Sequence, residues 1–160
     1  NMYFSSVLGC NLGMFYKRRD YTRVVNGRNP IVAHEYLGDS VEGKTVFIAD
    51  DIIASGESML EVASNLKARG AKRIIADATF PLFTSGLDKF DKAVEEGTLD
   101  YVVGTNLTYR KPELLNRDWY VDVDVSKYAA YFIVALNHDM SVSSIIDPIK
   151  KIEALLASRK

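Results

Sequence analysis

Cysteine is nearly absent. Cys10 is the one thiol in 160 residues, which excludes an internal disulfide framework and any cysteine-based zinc site and suits a reducing, cytoplasmic compartment. Histidine is almost as scarce. His34 and His138 are the only two, with no third ligand type clustered beside either, so each reads as a structural or surface residue. Net charge is close to zero: 20 Lys+Arg face 21 Asp+Glu, a formal charge of -1. That balance argues against binding nucleic acid or an anionic membrane through bulk electrostatics. The longest apolar runs fall well short of the ~18 residues a membrane span needs. No signal peptide, internal repeat, low-complexity tract or linker-like stretch stands out. What is present is 48% apolar and 26% charged residues, the composition of one soluble domain with a proper core. Within that core Cys10 is expected as an inert, buried thiol.

The hydrophobic pattern alternates between strand and helix. Leu12 to Tyr16 reads as a short strand, and the polar segment from Lys17 to Pro30 as a loop. Thr45-Val46-Phe47-Ile48-Ala49 is a continuous apolar and β-branched run ending in Asp50-Asp51, the pattern of a central parallel strand. Glu57 to Arg69 has apolar residues at helical spacing and a stop at Gly70. Arg73 to Thr79 predicts a strand, Leu87 to Glu96 a helix, and Leu99 to Thr105 and Trp119 to Val123 two further strands. Val125 to Asn137 predicts a helix with Tyr128, Phe132 and Leu136 on one face, and Ser144 to Ala157 a last helix. Tyr120, Tyr128, Tyr131 and Phe132 are most simply core or interface packing. Repeated strand–helix units imply an α/β fold: a three-layer arrangement in which a parallel sheet is covered by helices on both faces.

In such sheets ligands bind beyond the carboxyl ends of the strands. The segment leaving the apolar strand is Asp50-Asp51-Ile52-Ile53-Ala54-Ser55-Gly56-Glu57-Ser58. Backbone N–H groups at a helix start, with the hydroxyls of Ser55 and Ser58, would make a phosphate cradle. Gly56 would let the backbone approach the phosphate closely. The adjacent carboxylates suit sugar hydroxyls or a divalent cation, and together the two halves describe a phosphorylated ribose. The plainer alternative is an N-cap by Ser55 or Ser58. Two like charges directly after a buried strand favour the functional reading, because their desolvation is costly.

Val46 to Ser58 resembles the phosphoribosyl-binding motif of type I phosphoribosyltransferase folds: an apolar strand, two acids, three residues, then Ser/Thr-Gly-x-Ser/Thr. Further stations follow in order: Lys17-Arg18-Arg19, Leu37 to Lys44 (LGDSVEGK), Ala68 to Arg73 (ARGAKR), Ala78 to Phe83 (ATFPLF), Val103-Gly104-Thr105-Asn106 and Ser141-Val142-Ser143. Together they resemble the ribose-phosphate pyrophosphokinases, also called phosphoribosyl pyrophosphate synthetases, over essentially the whole chain. That family has two tandem phosphoribosyltransferase-like domains with the active site between them. The resemblance implies that residues 1–160 are a single C-terminal domain, truncated at the N-terminus and inactive by itself.

The resemblance also implies roles. Asp50 and Asp51 would hold the ribose hydroxyls, and Ser55, Gly56 and Ser58 the 5-phosphate. Lys17 and Arg19 would be the catalytic loop cations that stabilise charge on a diphosphoryl group passing from ATP to ribose 5-phosphate. Mg²⁺ is the implied cofactor, with ligands largely outside this chain, and a homo-oligomer the implied assembly of the full-length protein; neither nucleic acid nor membrane is an expected partner. Five cations (Lys17, Arg18, Arg19, Arg23, Arg28) against Asp20 fit that role, and a solvated basic loop or a minor nucleic-acid contact fits the composition equally. Two residues depart from the pattern. Ala54 stands where an acid is usual, and Glu57 where a small residue is usual and a carboxylate would repel phosphate. The alternatives are a phosphoribosyltransferase that consumes the activated sugar, whose base-binding hood and pyrophosphate loop are not identifiable, and a non-catalytic phosphoribosyl-binding regulatory domain, which Ala54 favours.

Overall fold

The structure, a computed structural model, describes residues 2–19 and 31–158. It divides into two compact units, Asn1–Ser40 and Val41–Lys160. In the first, helix α1 (Met2–Leu8) precedes an antiparallel pair, β1 (Met14–Arg19) and β2 (Ile31–Leu37), with Met14 opposite Leu37 and Lys17 opposite His34. The Phe15 and Tyr36 rings meet at 5.2 Å, and the Asn11 amide donates to Asp39 Oδ2 at 2.5 Å. The sequence predicts neither α1 nor β2. The backbone of Lys17, Arg18 and Arg19 belongs to a strand, not to the expected loop, because pairing with the apolar β2 segment carries the ladder past Tyr16. Residues 20–30, the rest of that loop, lie outside the described residues. Cys10 is exposed, not buried; it lies two residues beyond the end of α1, and no residue of that helix is buried.

The second unit holds a parallel sheet in the order β3 (Thr45–Ile53), β4 (Arg73–Pro81), β5 (Tyr101–Thr105) and β6 (Tyr120–Val123). Helices α2 (Glu57–Ala68), α3 (Asp88–Glu95) and α4 (Pro112–Leu115) fall between successive strands. Right-handed crossovers stepping one way across a sheet place their helices on the same face. That face carries the core: Ile74, Ala76, Ala78 and Val102 are fully buried, alongside Met59, Ala63 and Leu66 of α2 and Phe90 of α3. On the opposite parity Phe47 is 59% and Tyr101 39% exposed, whereas Ile53 and Pro81 at the strand ends are buried. The strand expected to be central, β3, is at the edge of the described sheet. An apolar run reports a demand for burial and does not report position in the strand order.

Two helical expectations are also revised. The sheltered positions of α5 (Ser126–Asn137) are Tyr128, Phe132 and Ala135, while Leu136 is 70% exposed. Tyr131 of the aromatic group is exposed as well, and Tyr120 is buried. The last helix is two, α6 (Ser143–Ile146) and α7 (Ile149–Ala157), because Pro148 has no N–H to continue α6. Among the described residues no helix is long and apolar enough to cross a membrane.

Asp91 of α3 ties this unit together. It accepts from Arg117 Nε and Nη2, both at 2.9 Å, and from Trp119 Nε1 at 2.7 Å. Burial acts to raise its carboxyl, but these hydrogen bonds and the Arg117 charge outweigh it and hold it below the usual carboxylate range. A depressed folded-state pKa contributes stability that is complete above the ordinary value and lost as pH falls through the folded one. Asp91→Asn should therefore lower stability at neutral pH by about 1–2 kcal/mol and flatten the loss of stability below about pH 4. Denaturant titrations at a series of pH values measure both effects.

Candidate functional site

Strand β3 runs through both acids to Ile53. Asp50 and Asp51 are exposed, so the desolvation cost expected for adjacent buried carboxylates does not arise. Successive strand residues face opposite sides of a sheet. Asp50 shares its side with Ala78 of β4, and Asp51 lies on the other. Asp50 Oδ1 accepts the Asp51 N–H at 2.8 Å, which ties one carboxylate to the strand end and leaves Asp51 oriented by the ladder alone.

The turn after β3 is held from the neighbouring strand. Ile53 carbonyl accepts the N–H groups of Leu82 (2.9 Å) and Phe83 (3.1 Å), and the Ala54 carbonyl accepts that of Thr84 (2.9 Å). Phe83 adopts a φ of 46° to make this bracket; a bulky residue takes that conformation only where packing compensates. Its ring does so, lying 4.9 Å from Phe90, 6.1 Å from Trp119 and 6.2 Å from Tyr120.

Gly56 then starts α2 from a left-handed φ of 78°, with no side-chain cap on the helix. The N-cap alternative for Ser55 and Ser58 therefore does not describe this turn. The nearest approach to a cap is Ser55 Oγ accepting the Glu57 N–H at 3.5 Å, which is long for a hydrogen bond. The first-turn N–H groups of a helix have no partner inside it, so here they remain free of side-chain caps, beside two hydroxyls. A Cβ on Gly56 would collide with the ring of Phe90. Glycine is required at this point by the backbone angle and by the core, whatever the loop binds.

Glu57 does not stand as a bare carboxylate. Lys89 Nζ, from the first turn of α3, donates to its Oε1 at 2.6 Å. That hydrogen bond, and then the Lys89 charge, hold the Glu57 carboxyl below its usual range. Sequence reasoning missed Lys89 because it lies 32 residues from Glu57 and α3 reads as an ordinary amphipathic helix.

The carboxyl ends of β5 and β6 add a polar network. Asn106 donates to Asp124 Oδ1 (2.6 Å) and Ser126 Oγ (2.9 Å), and accepts the Val125 N–H (2.9 Å). It joins the end of β5 to the start of α5, a structural task for that station of the sequence. Arg110 pairs with Asp122. The Tyr120 hydroxyl is buried without a partner among the described residues, and burial, then the Asp122 charge, push it up to about 12.

Asp50, Asp51, Ser55, Gly56 and Ser58 thus share one strand end and helix start in the second unit. Lys17 and Arg19 belong to β1 of the first unit, where only their backbone is described. Among the described residues no group of three or more His, Cys, Asp or Glu forms a metal-binding cluster, and the opposed Asp50 and Asp51 do not chelate one ion together. Among the described residues the donor set does not by itself hold a metal.

A profile of the phosphoribosyl transferase domain matches residues 2–127. The chain belongs to that family. Within it, the chain is a phosphoribosyl pyrophosphate synthetase-like phosphoribosyltransferase domain. It is 35% identical over 111 residues to a ribose-phosphate pyrophosphokinase of Wolinella succinogenes, covering 69% of this chain and 33% of that protein. It is 31% identical over 140 residues to one of Thermotoga maritima, covering 86% and 40%. The crystal structure of phosphoribosylpyrophosphate synthetase from Mycobacterium smegmatis superposes with a TM-score of 0.67 at 21% identity, over 86% of this chain and 40% of that one. That likeness shows the fold, the parallel four-stranded sheet flanked by helices. The chain spans between a third and two fifths of the length of these relatives.

Gly56→Ala should destabilise the phosphoribosyltransferase domain by about 2 kcal/mol or more, since it adds left-handed strain to overpacking. Thermal or urea unfolding measures this. Unchanged stability would show that Phe90 does not close on the turn.

Proposed function

We propose that this chain is the phosphoribosyl-binding part of a ribose-phosphate diphosphokinase, which transfers a diphosphoryl group from ATP to the C1 hydroxyl of ribose 5-phosphate. The observation that carries the reading is the uncapped, left-handed Gly56 turn directly after Asp50-Asp51. It puts helix N–H groups and two serine hydroxyls within a few residues of two solvent-facing carboxylates. The relatives named above support the choice of reaction.

In this reading the N–H groups of the turn and the Ser55 and Ser58 hydroxyls hold the 5-phosphate. The anion is stabilised by the helix dipole and by preorganised donors. Asp51, whose oxygens accept no backbone hydrogen bond among the described residues, accepts from a ribose hydroxyl, and Asp50 accepts from the other with its second oxygen. The turn, bracketed by residues 82–84, fixes the sugar so that its C1 end is held at a set distance from the phosphate. Diphosphoryl transfer then depends on positioning and on cations at the transferred group. Lys17 and Arg19 are the proposed side chains for the latter, as members of a basic segment.

Mg²⁺, when bound with ATP, neutralises phosphate charge. Its ligands and most of the ATP site are proposed to lie outside this chain, so residues 1–160 act as one C-terminal domain of a longer, homo-oligomeric enzyme and do not turn over alone. Ala54 supports a second reading, a phosphoribosyl-binding domain without chemistry.

Calorimetry with ribose 5-phosphate and with ATP tests the proposal. The chain should bind the sugar phosphate, and Asp51→Asn should weaken that binding by about ten- to a hundredfold, the worth of a charge-assisted hydrogen bond. Tight ATP binding by this chain, or an Asp51→Asn variant that binds as before, would contradict the assigned division of roles.

A further inference from the structure

A phosphate cradle with a carboxylate in its own first helical turn carries a charge opposed to its task. Glu57 begins α2, the helix whose free N–H groups are the proposed anion donors. A unit negative charge roughly 6 Å from a dianionic phosphate ester costs about tenfold in affinity even in water. Yet the carboxylate is matched. Lys89 Nζ bonds Glu57 Oε1 at 2.6 Å across the first turns of α2 and α3. The next residue of α3, Phe90, is the one that closes on Gly56. The lysine is therefore presented to the cradle by the same helical turn that supports it. Both side chains are more than half exposed, and an exposed ion pair contributes little to stability. Its position at the cradle, more than its contribution to folding, distinguishes it.

Resting on the phosphoribosyl-binding reading above, we infer that Lys89 is a positioning residue for the substrate phosphate: by pairing with Glu57 it cancels the one carboxylate of the Ser55-Gly56-Glu57-Ser58 turn and lets the turn accept a phosphomonoester dianion. The lysine acts through Glu57 and does not itself grip the phosphate. A turn with glycine at position 57 would need no such partner, so Lys89 is required only while Glu57 carries its charge.

This gives a thermodynamic cycle with a sign that a purely structural role does not share. Ribose 5-phosphate binding is measured by calorimetry for the unmodified chain, Lys89→Met, Glu57→Gln and the double variant, with thermal midpoints recorded alongside. Lys89→Met, which strands the carboxylate, should weaken binding by about tenfold, and the loss should shrink as salt is raised. Glu57→Gln should bind at least as tightly as the unmodified chain. The double variant should return to within about threefold of it, since the repelling charge has gone with its partner. A double variant as weak as Lys89→Met would overturn the inference and make the lysine a direct ligand. Weakened binding in Glu57→Gln would also overturn it, as would unchanged binding in Lys89→Met. If the unmodified chain fails to bind ribose 5-phosphate, the cradle reading itself fails and this inference falls with it. If the unmodified chain binds and the loss is confined to Lys89→Met, the pairing role holds.

Discussion

The contact between Phe90 and the Gly56 backbone is the constraint on which the site geometry rests. Phe90 is fully buried, and its ring leaves no room for a side chain at position 56. The turn after β3 can therefore settle on α3 only through a bare glycine in a left-handed conformation. Phe83 reinforces this from the end of β4. Its own positive φ lets its N–H bond the Ile53 carbonyl while its ring packs edge-on against Phe90. Two strained or demanding backbone positions, Gly56 and Phe83, are thus compensated by one aromatic cluster that also includes Trp119 and Tyr120. Strain held in place by dense packing is how a short turn becomes rigid enough to present N–H groups in a fixed direction.

Three consecutive residues of α3 divide the work. Lys89 meets Glu57, Phe90 meets Gly56, and Asp91 anchors Arg117 and Trp119. Residues i, i+1 and i+2 on a helix point in different directions, so one turn of α3 reaches the cradle, the core and the loop before β6 at once. The charge pairings follow the exposure of each. The partly sheltered Asp91 is held by both Arg117 and Trp119, whereas the exposed Glu57 has one lysine. Hence Asp91 matters for stability, and the Glu57 pair matters through the local potential at the turn.

The parallel strands β3 to β6 and the helices α2 and α3 were legible in the sequence because their apolar periodicity is strong and their ends are marked, as at Gly70 after α2. The acid–turn–helix segment was legible too, since its chemistry is contiguous from Asp50 to Ser58. What was not legible depends on contacts between residues distant in sequence. The 32-residue separation of Glu57 and Lys89 and the 26-residue separation of Asp91 and Arg117 leave no local pattern. Strand order is likewise a tertiary property, so the apolar β3 read as central although it is an edge of the described sheet. The polar segment beginning at Lys17 read as a loop because polarity hides the ladder that β2 provides. Cys10 read as buried from the habits of its residue type, whereas α1, which precedes it, buries none of its residues.

The opposed faces of Asp50 and Asp51 bear on what this strand end can recognise. Two carboxylates on the same face could share one cation and, without it, would repel each other strongly. Placed on opposite sides of an exposed strand end, they keep their charges apart, and each retains an oxygen for a separate donor. Vicinal hydroxyls on a sugar ring present two donors along an edge, and a strand terminus inserted beside that edge can meet them from two sides. The alternation that sets Asp50 and Asp51 apart is thus compatible with the proposed contacts to two separate ribose hydroxyls. On the proposed reading, Ala54 removes a third acid from a sugar for which Asp50 and Asp51 remain.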